Sequence, residues 1–149
     1  MVLFESGIIM LGTQIISNII NDTSTKVVSV LETSLVHAHE DVHKLLLELD
    51  LEVRLAVIGS LINHISDEHN NNESIKLCLK SVYDSITKIS EEIHKIDEKI
   101  EEHKEKYFSS WRNVDFTNEL QVVKFHSDIL EKRFSLLVNI IKVKSLDIS

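Results

Sequence analysis

The longest regular pattern in the chain is an alternation of apolar positions, four and then three residues apart, in its second half. Mostly lysine, glutamate, aspartate and serine lie between these positions, so a helix of this sequence carries one narrow apolar stripe. This heptad pattern predicts a long helix that packs lengthwise against one or two other helices. Its members are Ile75, Leu79, Val82, Ile86, Ile89, Ile93, Ile96 and Ile100, continued by His103 and Tyr107.

A second long helix is predicted to follow, from the Thr117-Asn118-Glu119 stretch to about Lys144. The connection between the two helices, Ser109 to Asp115, is short, so we expect them to form an antiparallel coiled-coil hairpin. Isoleucine at both core positions of a heptad also favours assemblies larger than dimers in parallel coiled coils. An oligomeric stalk is therefore the alternative to the intramolecular hairpin.

A pairing scheme for the hairpin follows if the chain turns near Trp111. This scheme places Ile89 opposite Phe134 and gives apolar pairs at most levels. The last helix widens its apolar face toward its C-terminal end, so that end is expected to join the core. The part of the hairpin between Lys95 and Asn118 is expected to project as a stalk.

The first half of the chain is predicted to contain three helices. The first runs from Leu3 to Ile20 and stops at a polar break, Asn21 to Ser24, which offers several N-cap residues. The second ends near Leu49, where the apolar face changes phase, and we expect a tight turn or kink capped by Asp50 to separate it from the third. The alternative is one long helix with a shifted face. A polar stretch from Ser66 to Ser74 is predicted to be a loop. The stripe expected on the second helix is Val28, Leu31, Leu35, Ala38, Val42, Leu45 and Leu49.

Glycine and proline are almost absent from the chain. There are three glycines and no proline in 149 residues, so nearly all the residues that break helices or shape tight turns are missing. This length suits one domain with a single core. The sequence therefore predicts an all-α bundle of about five helices in one domain, residues 1–149, with acidic helices in 1–69 and the hairpin in 74–149.

The net charge of −8 comes entirely from the first half of the chain. Residues 1–73 carry eleven acidic and three basic side chains, and residues 74–149 carry thirteen of each. An acidic face repels phosphate groups, and the sequence contains no compact basic patch. Nucleic-acid binding is therefore not expected.

The apolar segment of residues 2–20 has three competing interpretations. Its uncharged stretch, residues 6–21, is 16 residues long, just below the roughly 17 needed to cross a bilayer. We expect a buried central helix, and the alternatives are a membrane anchor and a contact between subunits. No charged region precedes the apolar start, so the segment does not resemble a secretory signal.

A single cysteine, Cys78, rules out a disulfide within the chain and fits a reducing compartment. We therefore expect an intracellular protein, in the cytoplasm or within a large assembly. Cys78 lies next to the heptad position Leu79, so its thiol is expected to be buried as a small hydrophobic group.

Histidines are concentrated in residues 37–43, which contain His37, His39 and His43. His39 and His43 are four residues apart, a spacing that can bind a transition metal when further ligands converge. The apolar stripe through Val42 points inward, so the three histidines are expected on the rim of the bundle or in solvent. No metal and no cofactor are therefore predicted.

A metal-binding bundle, either of the di-iron carboxylate or of the hemerythrin-like type, is the alternative. Di-iron bundles use Glu-x-x-His pairs on two helices. The candidate pairs lie off the predicted apolar seams, so they are not expected to face a core. Pairs with this spacing are Glu40 with His43 and Glu91 with His94, whereas His126 with Glu131 has the hemerythrin-like spacing of five residues but lacks inward-facing histidines on the neighbouring helices.

The sequence contains no recognisable catalytic motif. A glycine-supported nucleophile turn, a phosphate loop, a dinucleotide fingerprint and a Cys-x-x-Cys pair are all missing, so an enzyme is not expected. A cluster of aromatics and arginine at the predicted hairpin tip has the composition of interface hot spots. We therefore predict protein–protein interaction, as a scaffold or structural subunit, with a protein partner or further copies of the chain. The predicted partner-binding residues are Tyr107, Phe108, Trp111 and Arg112.

Overall fold

The computed structural model describes residues 12–36, 39–65, 72–105 and 114–148, without the side chains of residues 12, 104–105 and 145–148. Within these ranges every regular element is a helix, so the predicted all-α class is confirmed. Predictions for residues 1–11 and for most of the loop at residues 66–74 lie outside the described residues. The helices are α1 (Gly12–Val36), α2 (Glu40–Leu49), α3 (Leu51–Asn63), α4 (Glu73–Glu105) and α5 (Thr117–Ile148).

Helix α1 passes without interruption through the predicted break at residues 21–24, so that prediction is wrong. The Thr23 hydroxyl donates to the Ile19 carbonyl oxygen at 2.6 Å, and the Thr25 hydroxyl donates to the Asn21 carbonyl oxygen at 2.9 Å. Hydroxyl groups that bond back to the preceding turn are satisfied within the helix and need no break. Thr23 is fully buried, so this residue belongs to the core face and does not cap a new helix.

The buried face of α1 differs from the predicted stripe by one residue. Val28 and Leu35, which were expected to be buried, are exposed. Two polar residues occupy positions of the real seam, and this hid the seam from a search for apolar spacing. The buried positions alternate four and three residues apart and are Ile16, Ile20, Thr23, Val27, Val30 and Ser34.

A tight turn at Asp50 separates α2 from α3, as predicted. Asp50 adopts the left-handed conformation, with φ 52° and ψ 41°, and its amide donates to the Leu47 carbonyl oxygen at 3.1 Å. Aspartate tolerates this conformation better than most residues. The turn lets Leu49 and Leu51, on either side of Asp50, both enter the core.

The heptad seam of α4 is buried along its whole described length, as predicted. All eight apolar positions from Ile75 to Ile100 are buried, six of them from Val82 onward completely. Cys78 is buried beside them, and burial raises the pKa of its thiol, as expected for a small hydrophobic group. Asn72 caps the helix, because its side-chain oxygen accepts the Ile75 amide at 3.1 Å.

Helix α4 lies between α1 and α5 and packs against both. Helices α2 and α3 pack on α1, and α2 also contacts α5, so the contacts close a ring around a shared core. The described core residues are almost all aliphatic, and Phe116 is the only aromatic residue among those fully buried.

Contacts between α4 and α5 show that the predicted register was wrong. Arg133 donates to the Ser81 carbonyl oxygen at 2.7 Å and to the Ser85 hydroxyl at 2.8 Å. The predicted pairing placed Arg133 level with Ser90, more than a helical turn away from either group. A shift of about one heptad keeps the apolar positions of both helices in register, so apolar spacing alone could not distinguish the two alignments.

The part of the helices that was expected to project as a stalk, residues 95–118, is covered where the structure describes it. Ile100 and Phe116 are fully buried. His39, from the connection between α1 and α2, packs against both Phe116 and His103. The bundle therefore extends further along α4 and α5 than the sequence predicted.

Replacing Ile89 with aspartate should severely destabilise the fold. Ile89 has 0% exposed surface, so the new carboxylate loses its hydration, and we expect a loss of roughly 3–5 kcal/mol in the free energy of unfolding. Leu77→Asp is the matched control, because the same change then falls on the same helix at a side chain that is 62% exposed. Urea unfolding followed by circular dichroism compares the two variants, and similar losses would contradict the assigned seam.

Candidate functional site

The predicted partner-binding residues, Tyr107, Phe108, Trp111 and Arg112, lie outside the described residues. The structure describes the chain on both sides of this segment, to Glu105 in α4 and from Val114 before α5. Their role therefore stays a prediction. We call the described residues on either side of this segment its base.

A cluster of aromatic rings at this base was missed by the sequence analysis. His39 is 8% exposed, and its ring centroid lies 5.4 Å from that of His103 and 5.1 Å from that of Phe116. The expectation that His39 lies on the rim or in solvent is therefore wrong. His39 precedes the first turn of α2, and its amide donates to the Ser34 carbonyl oxygen at 2.8 Å, so helical periodicity does not determine where its ring lies.

A polar network fixes the start of α5 against α4 beside this cluster. The Lys99 ammonium lies 2.6 Å from a Glu119 carboxylate oxygen, donates to the Asp115 carbonyl oxygen at 3.0 Å, and sits 5.9 Å from the centroid of Phe116. The Asp115 carboxylate accepts the Thr117 hydroxyl and amide, and these hydrogen bonds lower the pKa of Asp115. The base of the 106–113 segment is therefore held by several side chains at once.

The histidine-rich segment does not form a metal site in the described part of the chain. The ring of His39 packs on the aromatic cluster, whereas Nδ1 of His43 lies 3.1 Å from the Leu31 carbonyl oxygen of α1. His37 lies outside the described residues. No group of three or more histidine, cysteine, aspartate or glutamate side chains that could hold a metal ion occurs in residues 12–36, 39–65, 72–105 and 114–148.

The other candidate metal pairs have separate environments. Nε2 of His94 lies 2.8 Å from a Glu98 carboxylate oxygen on the exposed face of α4. Glu131 pairs with Arg54 of α3 at 3.3 Å. His126 is half-buried near α4, and its pKa is lowered, first by burial and then by Lys88 and Arg133.

A groove with apolar walls lies between α3 and α5, and we call it the α3–α5 groove. It has a volume of about 240 Å³, and its apolar lining includes Val53, Val57, Leu130 and Phe134. Sequence analysis missed it because the amphipathic pattern of α3 does not reveal which helix lies beside it. No histidine lines the groove, so a serine there has no imidazole base at hand. The geometry suits binding of an apolar segment.

Among the described residues, no helix is both long and apolar enough to cross a membrane. Of the proposed anchor, residues 2–20, the part from Gly12 onward belongs to α1, where Ile16 and Ile20 are buried in the core. Residues 2–11 lie outside the described part of the chain.

Comparisons with known proteins add no relatives. No family model, no curated protein and no solved structure matches this chain. Arguments about function therefore rest on the residues and their geometry.

Protonation of His126 should destabilise the protein. Because the pKa of His126 is lowered in the folded chain, the folded state prefers the neutral ring. The resulting stabilisation is complete above the unfolded pKa, near 6.5, and is lost as the pH falls through the lower folded value. His126→Gln should therefore reduce the fall in Tm between about pH 7 and about pH 5, measured by thermal melting. An unchanged pH dependence would contradict the assigned environment of the ring.

Proposed function

We propose that the protein is a non-enzymatic scaffold or structural subunit that acts through protein–protein interaction. The observation that carries this proposal is the length of α4 and the complete burial of its seam. This helix has 33 residues, which at 1.5 Å per residue gives a rod of about 50 Å. Since α1 and α5 cover the seam, the rod is rigid and offers its outer faces and its end to partners.

We also infer that α4 and α5 form an antiparallel coiled-coil hairpin. Lys99, late in α4, pairs with Glu119 at the start of α5, whereas Ser81, early in α4, contacts Arg133 further along α5. These pairs run in opposite directions along the two helices. Buried positions with heptad spacing run from Phe116, just before α5, along the helix through Leu120, Val123, Ser127, Leu130 and Leu137, with half-buried Phe134 between the last two.

The proposed recognition surface is the segment that carries Tyr107, Phe108, Trp111 and Arg112. Tryptophan, tyrosine and arginine are the residues most enriched in interface hot spots. The network around Lys99 holds the base of the segment, which limits the entropy lost when a partner binds. We propose that the partner is another protein or a second copy of this chain, within the cytoplasm or a large assembly. The charge distribution gives no support for a nucleic-acid partner.

Affinity capture of native partners at endogenous expression, together with sedimentation of the purified chain, tests this proposal. We expect a stable complex with a protein partner or a defined oligomer. Recovery of a monomer without partners, or of stoichiometric metal with helicity lost after chelation, would contradict it.

Trp111→Ala combined with Phe108→Ala should separate recognition from stability. If these aromatics contact the partner, their removal should weaken capture by on the order of 2 kcal/mol or more, the usual threshold for a hot spot, with little change in Tm. Phe125→Ala is the matched control, because Phe125 is an aromatic that is 61% exposed on α5 away from the segment. Titrated capture and thermal melting measure the two effects. A large fall in Tm with capture intact would show that the aromatics only stabilise the turn.

A further inference from the structure

The α3–α5 groove exposes apolar side chains on both sides. Val53 and Val57 of α3 are 55% and 52% exposed, and Phe134 of α5 contributes to the lining. The groove opens because α2 packs on α5 while α3 packs mainly on α1. Apolar walls of this kind gain free energy when an apolar segment covers them.

Residues 2–11, which precede α1 and lie outside the described residues, have a matching composition. Glu5 is their only charged residue. Arg54, the basic residue that lines the groove, donates to Glu131 through one guanidinium nitrogen. Its other N–H groups can donate to a second carboxylate. The apolar members of the segment are Val2, Leu3, Phe4, Ile8, Ile9, Met10 and Leu11.

The start of α1 is close enough for this segment to reach the groove. The Ser17 hydroxyl donates to the Asn63 side-chain oxygen at 3.0 Å, which places the first turns of α1 beside the end of α3. Helix α1 runs antiparallel to α3, so Gly12 lies about 7.5 Å beyond Ser17 at 1.5 Å per residue. Val57 and Val53 lie about 9 and 15 Å back from Asn63 along α3. The segment must therefore span about 17–23 Å to reach them. Ten extended residues span about 33–36 Å, so the segment reaches the groove with length left to lie along it.

We propose that residues 2–11 of the same chain bind in the α3–α5 groove and complete the bundle. The groove has a volume of about 240 Å³, which suits the side chains of one narrow segment. A second folded copy of the chain would need a much larger surface, about 800 Å² on each partner. Binding in the groove also removes some of the apolar side chains of residues 2–11 from water without a membrane. This inference does not depend on the proposed recognition surface at residues 107–112.

Disulfide cross-linking of the full-length chain tests the proposal. Leu3→Cys or Ile8→Cys is combined with Val57→Cys, and oxidation is followed on non-reducing gels. Cys78 stays in place, because it is buried and burial raises the pKa of its thiol, which makes it slow to react. The matched control combines the same N-terminal cysteines with Phe125→Cys, which replaces a side chain that is 61% exposed on α5 outside the groove.

At least one pair with Val57→Cys should form an intrachain disulfide five times faster or more than its control. Val53→Cys replaces Val57→Cys if circular dichroism shows that the latter variant is unfolded. Rates equal to those of the controls would overturn the proposal. A disulfide that forms between two chains would also overturn it and would show that a second copy occupies the groove. Either result leaves the assigned role of residues 107–112 to its own experiment.

Discussion

The burial of the α4 seam is the constraint on which the rest of the structure depends. Each fully buried aliphatic side chain contributes roughly 1.5–3 kcal/mol, and α4 presents an unbroken row of them. A single narrow stripe on a 33-residue helix cannot be covered by one short neighbour, so two long helices, α1 and α5, must lie along it. Helices α2 and α3 then cover the remaining side of α1. The order of packing follows from the length of one apolar pattern.

Polar side chains at the edge of this aliphatic core select one alignment among several that the apolar positions allow. Arg133 donates to a backbone oxygen and a hydroxyl of α4, at Ser81 and Ser85, and a slip of one heptad would break both hydrogen bonds. A buried donor that loses its acceptors costs about 1–3 kcal/mol, and more when it is charged. In α1, Thr23 is buried without such a role, because its hydroxyl is satisfied by the preceding turn of the same helix. Hydrophobic burial therefore makes the helices associate, and the hydrogen bonds that Arg133 donates favour one register.

Sequence reasoning succeeded where one physical effect determined the outcome and failed where two effects competed. The α4 seam could be predicted because its apolar spacing is regular, and the Asp50 turn because the apolar face changes phase there. The break predicted around Thr23 was wrong because a hydroxyl residue that resembles a cap can also bond back within a helix. The burial of His39 could not be predicted, since it lies between helices and its position depends on contacts with Phe116. Of the two proposed binding surfaces, composition indicated only residues 107–112. The groove could not be predicted, because its existence depends on where α3 lies relative to α5.

The α3–α5 groove and the aromatic cluster at His39 arise where helical regularity is interrupted. The left-handed conformation of Asp50 changes the direction of the chain, so α2 contacts α5 while α3 turns toward α1. Without that change, one straight helix would cover the flank of α5 and leave no groove at Val53 and Val57. A second interruption lies between α1 and α2. His39 is in this connection, and its ring packs beside Phe116. Regular heptads build the long helices, and the residues that interrupt them shape the surface between the helices.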